Sequence, residues 1–248
     1  MFAATLSIFA AYSFAPGNFK VGNIEIKRSK IASLFDPPII PDAMAAQSME
    51  DSVHTAKVEK DTTAQRILII GDSMVEGIMW RLKSYCLFNG HDLKPVIWYS
   101  SSTKWYGEYD TLAYFINEYN PTYIMLVIGG NELFIPDIIE QRSPYVQRIQ
   151  EMIGDKKYIW IGPPNWKKDT GINDLILKHV GEGRYFPSKN LTYKRLRDGA
   201  HPTRESASMW MDSIASWIEN KSLYPIRLSI PDTVYKVTPK ATLLQPLK

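Results

Sequence analysis

The sequence predicts an α/β fold in which a parallel sheet of about five strands lies between two layers of helices. Two observations carry this prediction: strand-like and helix-like segments alternate from residue 66 to residue 219, and the strongest strands are apolar throughout. Such alternation produces right-handed crossovers, and strands that are covered on both faces have no polar side. The 248 residues allow one domain of about 180 residues plus tails, and 45% of them are apolar, enough for a full core.

The elements follow one another in regular order, with turn residues near most of their ends. The predicted strands are Ile67–Ile70, Pro95–Tyr99, Tyr123–Ile128, Tyr158–Ile161 and a short Arg184–Phe186. The predicted helices are Met74–Phe88, Asp110–Tyr119, Pro136–Ile153, Gly171–Val180 and Thr203–Glu219. In sheets of this type ligands bind beyond the carboxyl ends of the strands, so the side chains at those ends are the candidates for chemistry.

The sequence divides into four parts. They are an apolar segment that resembles a signal or anchor (1–20), a tether or linker (21–63), the α/β domain (64–220) and a C-terminal tail (221–248). Residues 2–15 are apolar but shorter than the ~20 residues of a membrane span, and no basic residues precede them. They fit a truncated export signal, an uncleaved anchor or a hydrophobic terminus packed on the domain. Residues 36–63 read as a polar, proline-containing linker, either a tether or an arm without a role. The last part is expected to wrap the domain in extended form.

Charge and cysteine content exclude several classes of protein. A net charge of +3 without a basic block gives no reason to expect nucleic acid as a partner. The single cysteine, Cys86, excludes an internal disulfide and a metal site built from several cysteines. Its apolar surroundings, WRLKSYCLF, indicate a small core residue.

Ser73 is the first candidate for chemistry, because it lies where the strand ILII gives way abruptly to a helical pattern. A serine at such a junction can cap the helix by accepting from a free backbone N–H. The strand-to-helix motif of the α/β-hydrolases, Gly-x-Ser-x-Gly, does not apply, since Val75 occupies the second glycine position. A nucleophilic Ser73 therefore needs a base from elsewhere in the chain.

His201 is the best placed of the four histidines, within DGAHPT just before the last helix. A carboxylate three residues earlier, Asp198, can accept from one imidazole nitrogen and leave the other free to take a proton from Ser73. A surface Asp–His pair without function is the alternative. The other histidines lie in the linker, in a turn and near a helix end: His54, His91 and His179.

A third motif, Gly129-Gly130-Asn131-Glu132, follows the strongest predicted strand. Paired glycines let the backbone approach a ligand closely. The amide of Asn131 can donate to a developing oxyanion beside the N–H of Ser73. The same four residues are also compatible with an ordinary turn.

The three motifs GDS, GGNE and DGAH, in this order and at these places, resemble the SGNH hydrolases, also called the GDSL family of esterases and lipases. The resemblance covers roughly residues 66–220 and implies a flavodoxin-like three-layer fold. It also implies that Ser73 is the nucleophile, His201 the general base and acid, Asp198 the residue that orients it, and Asn131 the side-chain donor of an oxyanion hole. Neither a metal nor another cofactor is implied.

The sequence departs from the family in its second block, where a glycine N–H usually joins the oxyanion hole. After the second predicted strand the chain reads YSSSTKWYG. The predicted donor is the N–H of Gly107, with the N–H near Thr103 or Lys104 as alternatives. An ordinary polar loop is a further interpretation.

Aromatic residues near the same sheet edge suggest a carbohydrate substrate, because their faces stack on sugar rings, although aromatics are also common in cores. They are Trp98, Tyr99, Trp105, Tyr106 and Trp166. Of these, Trp105 and Trp166 are the predicted substrate contacts.

GDSM, the Ser-Ser-Thr loop and GPPNW resemble SGNH proteins associated with bacterial envelope polysaccharides. That branch moves acetyl groups on or off sugar hydroxyls, sometimes with a membrane-bound acyltransferase partner. We therefore expect a serine esterase or O-acetyltransferase that acts on acylated envelope carbohydrate and is exported or membrane-anchored, in a bacterial periplasm. The sequence leaves water or sugar open as the acceptor. A lipase or lysophospholipase of the same fold and a non-catalytic carbohydrate-binding subunit are the alternatives.

Overall fold

The computed structural model describes residues 19–21, 24–26, 59–232 and 237–247. The chain divides into two units, Met1–His54 and Thr55–Lys248. In the first unit, strands β1 (Phe19–Val21) and β2 (Ile24–Ile26) pair in antiparallel register. The apolar segment 2–15 and most of the predicted linker lie outside the described residues. In the described ranges, no helix combines the length and apolar character needed to cross a membrane.

In its described residues, the second unit contains a six-stranded sheet and six α-helices. The strands are β3 (Arg66–Gly71), β4 (Asp92–Trp98), β5 (Tyr123–Val127), β6 (Lys157–Ile161), β7 (Tyr185–Phe186) and β8 (Thr242–Leu244). The helices are α1 (Met74–Asn89), α2 (Thr103–Glu108), α3 (Thr111–Tyr119), α4 (Ile138–Ile153), α5 (Ile172–Val180) and α6 (Arg204–Asn220). All neighbouring strands are parallel, in the order β7-β6-β5-β3-β4-β8.

The side chains of the central strand β3 point alternately into two hydrophobic cores. Ile67 and Ile69 pack with α1 and α6, whereas Leu68 and Ile70 pack with α3, α4 and α5. All four are fully buried, which explains why this strand is apolar at successive positions. The predicted α/β fold with a parallel sheet between two helical layers is confirmed.

The structure contains two elements that were not predicted: helix α2, which follows β4 in the chain, and strand β8, which pairs with β4. Helix α2 occupies part of the expected polar loop, and β8 adds a sixth strand to the sheet by pairing with β4, with Val96 opposite Thr242. The chain after residue 220 also buries Ile226 and Leu228 in the core. These last residues thus belong to the packing of the second unit.

A close approach at the end of β3 determines where the next loop lies. A Cβ atom at Gly71 would lie 1.9 Å from the carbonyl oxygen of Val127, so only glycine fits there. The next residue, Asp72, donates its backbone N–H to the same oxygen at 2.9 Å. The loop after β3 is therefore held directly against the end of β5, at the edge of the sheet where the predicted motifs lie.

Candidate active site

Ser73 precedes the first residue of α1, but its side chain does not cap the helix. Instead, the carboxylate of Asp72 accepts from the backbone N–H of Met74 at 2.9 Å. The Ser73 hydroxyl lies 2.8 Å from Nε2 of His201. The helix-cap interpretation therefore does not describe Ser73, whose hydroxyl is paired with an imidazole.

The second nitrogen of this imidazole is bonded to a carboxylate, since Nδ1 of His201 lies 2.8 Å from Oδ2 of Asp198. The other oxygen of Asp198 accepts from the backbone N–H groups of Ala200 (2.8 Å) and His201 (3.0 Å). Hydrogen bonds from His201, its backbone N–H first, lower the pKa of Asp198 to about 2. The ionised carboxylate can only accept, so Nδ1 carries the proton and Nε2 is the acceptor for Ser73 O–H.

The loop that carries Asp198 and His201 is fixed by one arginine that the sequence motifs do not include. The backbone N–H of Leu196 donates to the carbonyl of His201 at 2.8 Å, which closes the loop. The Arg195 guanidinium donates to three carbonyl oxygens, those of Ala200, of Pro164 (3.1 Å) and of Asn165 (2.7 Å). Arg195 thereby joins the histidine loop to the loop after β6.

Asn131 lies in a short helical turn directly after β5 and faces the same site. Its Nδ2 donates to the carbonyl oxygen of Ser101 at 2.9 Å. A primary amide has two N–H groups, so one of them is left for a ligand. The structure thus brings Asn131 together with Ser73, Asp198 and His201.

Two buried carboxylates hold this turn from either side. Asp72 is 1% exposed and accepts from the backbone N–H of Gly130 at 3.2 Å; burial raises its pKa to about 7, although hydrogen bonds from Met74 and Gly130 oppose the shift. Glu132 is fully buried and accepts from the N–H (2.7 Å) and hydroxyl (2.9 Å) of Thr103 and from Nε of Arg142 (2.7 Å). Both carboxylates belong to the sequence motifs, but their anchoring roles were not predicted.

Two backbone N–H groups, those of Ser73 and Ser100, make no hydrogen bond within the described part of the chain. Ser100 follows the end of β4 and has a φ of 59°, a left-handed conformation that favours glycine. Both serines line the same cavity. Ser100 therefore has a backbone conformation typical of glycine where it lines the cavity, and its unusual φ gave no signal in the sequence.

Gly107 does not reach this site, so its predicted place in the oxyanion hole is corrected. It lies inside α2, and a Cβ atom there would lie 2.7 Å from Cα of Tyr145 on α4. The absence of a side chain permits close packing of the two helices. Gly107 is not among the residues that line the cavity.

The predicted substrate contacts Trp105 and Trp166 also lie outside the cavity lining. Trp105 packs against Trp98, with ring centroids 5.3 Å apart. Trp166 donates its Nε1–H to the carbonyl oxygen of Gly130 at 2.8 Å and so supports the Asn131 turn. The contact of Trp105 with Trp98 and the hydrogen bond of Trp166 hold the two rings outside the cavity lining.

The cavity has a volume of about 630 Å³ and contains two other aromatic residues, Trp80 and Tyr99. This volume suits a small ligand or the end of a larger one. The lining residues are Ser73, Met74, Glu76, Gly77, Trp80, Tyr99, Ser100, Asn131, Leu196, Asp198, His201, Pro202 and Arg204.

The remaining histidines and the cysteine lie elsewhere. His91 is buried, and its Nδ1 accepts from the backbone N–H of Gln65 at 3.1 Å, so it joins two backbone segments of the core. His179 lies on α5, and His54 falls outside the described residues. Cys86 is buried, as predicted for a small core residue.

No known family model matches this sequence, and no curated protein is similar enough to count as a relative. Solved structures with a similar course of the chain include a Clostridium thermocellum family 3 carbohydrate esterase, with 15% identity, a TM-score of 0.47 and coverage of 62% of this chain and 94% of that one. A psychrotrophic esterase from a Pseudoalteromonas species has 15% identity and a TM-score of 0.43, covering 62% and 99%. A two-domain esterase active on acetylated mannans has 12% identity and a TM-score of 0.45, covering 67% and 53%.

Proposed function

We propose that this protein is a serine hydrolase of the SGNH type that cleaves or transfers ester-linked acyl groups. One observation carries the proposal: the hydrogen-bonded chain from Ser73 Oγ to His201 Nε2 and from His201 Nδ1 to Asp198, with both distances 2.8 Å. It opens into a cavity that is also lined by Ser100 and Asn131. This arrangement supports Ser73 as nucleophile, His201 as base and Asp198 as the acid that orients it, with oxyanion donors in the same cavity.

In the first half of the reaction, Nε2 of His201 takes the proton of Ser73 while Oγ forms a bond to the ester carbonyl carbon. The electron pair of the carbonyl moves to its oxygen, which accepts hydrogen bonds from Ser73 N–H, Ser100 N–H and Asn131 Nδ2. Asp198 stabilises the imidazolium that forms and keeps its orientation. The bond to the leaving oxygen then breaks, and His201 gives its proton to the departing alcohol.

The second half regenerates the serine. Water or a sugar hydroxyl attacks the acyl-serine carbonyl and loses its proton to His201. The bond from the acyl carbon to Ser73 breaks, and Oγ recovers the proton from Nε2. Water yields a carboxylic acid, so the protein acts as an esterase; a sugar hydroxyl yields a new ester, so it acts as an acyltransferase.

Acylated carbohydrate of a bacterial envelope is the substrate that we propose. The cavity supports it because two aromatic residues, Trp80 and Tyr99, line it together with polar residues such as Asn131. The apolar residues 2–15 and the proline-containing linker support an exported or membrane-anchored domain in the periplasm. A membrane-bound acyltransferase is the proposed partner for transfer.

The test is hydrolysis of p-nitrophenyl acetate by wild type and Ser73→Ala, with Ser216→Ala, an exposed serine on α6, as the matched control. We expect Ser73→Ala to lose about a thousandfold or more of kcat and the control to keep wild-type rates. A fluorophosphonate should label Ser73, as peptide mass spectrometry would show. Equal rates for wild type and Ser73→Ala would reject the proposal, and sugar binding without turnover or labelling would favour a non-catalytic subunit.

The length of the acyl chain separates the proposed substrate from the lipase alternative. Acetyl and butyryl esters should be hydrolysed faster than the decanoyl ester of p-nitrophenol. A preference for the decanoyl ester would replace the carbohydrate proposal by a lipase.

A further inference from the structure

Arg204 stands out among the residues around the candidate active site. It is the first residue of α6, is exposed, and is the only lysine or arginine among the described residues that line the cavity. Its guanidinium lies over the ring of Trp80, 4.9 Å from the ring centroid. A guanidinium stacked on an indole is attracted by the ring and loses part of its freedom to move. The cavity thus has one permanent positive charge, held in place by an aromatic ring.

Apart from the ring of Trp80, the guanidinium has no hydrogen-bond or ion-pair partner among the described residues. Within the part of the chain that the structure describes, Arg204 forms no ion pair, and no hydrogen bond leaves its side chain. The two carboxylates that line the cavity have other contacts. Asp198 is bonded to His201, and Glu76 accepts from the hydroxyl of Tyr99 at 3.3 Å. The N–H groups of Arg204 therefore remain available to a ligand.

The position of Arg204 relative to the reacting atoms follows from the local backbone. It lies three residues after His201, whose imidazole contacts Ser73. Thr203, between them, caps α6 by accepting from the backbone N–H of Ser206 at 3.3 Å. This cap fixes the direction in which Arg204 leaves the loop. A group bound to Arg204 thus lies in the same cavity as the ester that Ser73 would attack.

The chemistry of the side chain indicates what it would bind. A guanidinium presents paired, planar N–H donors that match the two oxygens of a carboxylate or phosphate. Glu76, on α1 one turn before Trp80, also lines the cavity, and its negative charge would repel an anion. The attraction for an anion therefore comes from Arg204.

We propose that Arg204 selects acylated carbohydrates that carry an anionic substituent, a sugar carboxylate or a phosphate ester, by binding that substituent beside the reacting ester. This inference rests on the proposed function, because it names the substrate class of the same site. Stacking on Trp80 orients the guanidinium before the ligand arrives, which reduces the entropic cost of the contact.

The test compares three probes that differ in one substituent: acetylated methyl glucoside, acetylated methyl glucuronide and acetylated methyl glucoside 6-phosphate. The acetate released is measured for wild type, Arg204→Gln, Arg204→Lys and Arg197→Gln. Arg197 is an exposed arginine of the same loop that does not line the cavity. The quantity compared is kcat/KM for each anionic probe divided by kcat/KM for the neutral one.

Wild type should prefer at least one anionic probe, and Arg204→Gln should lower that preference about tenfold, mainly through KM. Arg204→Lys should restore part of it, since lysine keeps the charge but not the planar fork. Arg197→Gln should keep the wild-type ratio. Whichever anionic probe gives the larger ratio identifies carboxylate or phosphate as the natural substituent.

Two outcomes would overturn the inference: a wild type without preference for either anion, or an Arg204→Gln variant with the wild-type ratio. Both leave the proposed function standing, because acetate is still released. If wild type releases no acetate from the three probes or from p-nitrophenyl acetate, the proposed function itself fails. The thermal unfolding midpoint of each variant shows whether it is folded during the assay.

Discussion

The carboxylate of Asp72 accepts a hydrogen bond from the backbone N–H of Gly130 at 3.2 Å, which joins the residue before Ser73 to the residue before Asn131. Its second oxygen accepts from Met74 at 2.9 Å. Because the side chain is almost fully buried, water cannot replace either bond. One carboxylate thus sets the distance between the proposed nucleophile and the proposed oxyanion donor.

The raised pKa of Asp72 can be tested by comparing how the stability of wild type and of Asp72→Asn depends on pH. Burial raises the pKa of Asp72 from 3.8 to about 7. An acid whose pKa is higher in the folded state stabilises the protein fully below its unfolded value, and this contribution is lost as the pH rises through the folded value. Asparagine does not titrate.

The free energy of unfolding of wild type minus that of Asp72→Asn should therefore fall by up to a few kcal/mol between pH 4 and pH 8. Urea unfolding at several pH values measures it. A difference that stays constant over this range would contradict the shifted pKa. Independently of pH, one backbone N–H loses its acceptor in the variant, which should cost about 1–3 kcal/mol.

The orienting role proposed for Asp198 predicts that its replacement lowers kcat while the protein stays folded. In Asp198→Asn the amide cannot serve as an ionised acceptor for His201 Nδ1–H, so the imidazole loses its tautomer and orientation. We expect kcat for p-nitrophenyl acetate to fall by about a thousandfold or more, with little change in KM. Asp174→Asn, at an exposed carboxylate paired with Lys189, is the matched control. If kcat of Asp198→Asn were within threefold of the wild-type value, Asp198 would have no orienting role in catalysis.

The buried ion pair behind Asn131 should matter more for stability than an ion pair on the surface. Arg142→Ala leaves the fully buried Glu132 without its cation. Breaking a buried pair on one side costs about 3–5 kcal/mol. Arg148→Ala, which removes a half-exposed partner of Glu151, should cost less than about 1 kcal/mol. Urea unfolding measures the free energy of unfolding of both variants. Equal losses of stability would show that burial of Glu132 does not require the ion pair with Arg142.

The corrected position of Gly107 can be checked by substitution. A methyl group there would lie 2.7 Å from Tyr145, so Gly107→Ala should force α2 and α4 apart and cost about 1–3 kcal/mol. Its kcat on p-nitrophenyl acetate should stay within a few fold of wild type, measured well below the unfolding midpoint. A large loss of kcat at unchanged stability would instead indicate that the N–H of Gly107 belongs to the oxyanion hole, as the sequence predicted.

Short-range sequence patterns predict much of the architecture. Strand β3 and helix α1 were predicted to within one residue at each end, because continuous apolar runs, helical periodicity and turn residues such as Asn89-Gly90 act over short distances. The residues that meet at the candidate site, Ser73, Asn131, Asp198 and His201, belong to short motifs at places where a parallel sheet brings its loops together.

Only the tertiary structure decided which groups complete the site. Strand β8 is three residues long and has no pattern of its own; its hydrogen bonds to β4 make it a strand. Ser100, Trp80 and Arg204 reach the cavity while Gly107, Trp105 and Trp166 do not, although all six lie near the predicted motifs. Whether a side chain meets a ligand or a neighbouring helix depends on packing between residues far apart in sequence, and spacing along the chain does not contain that information.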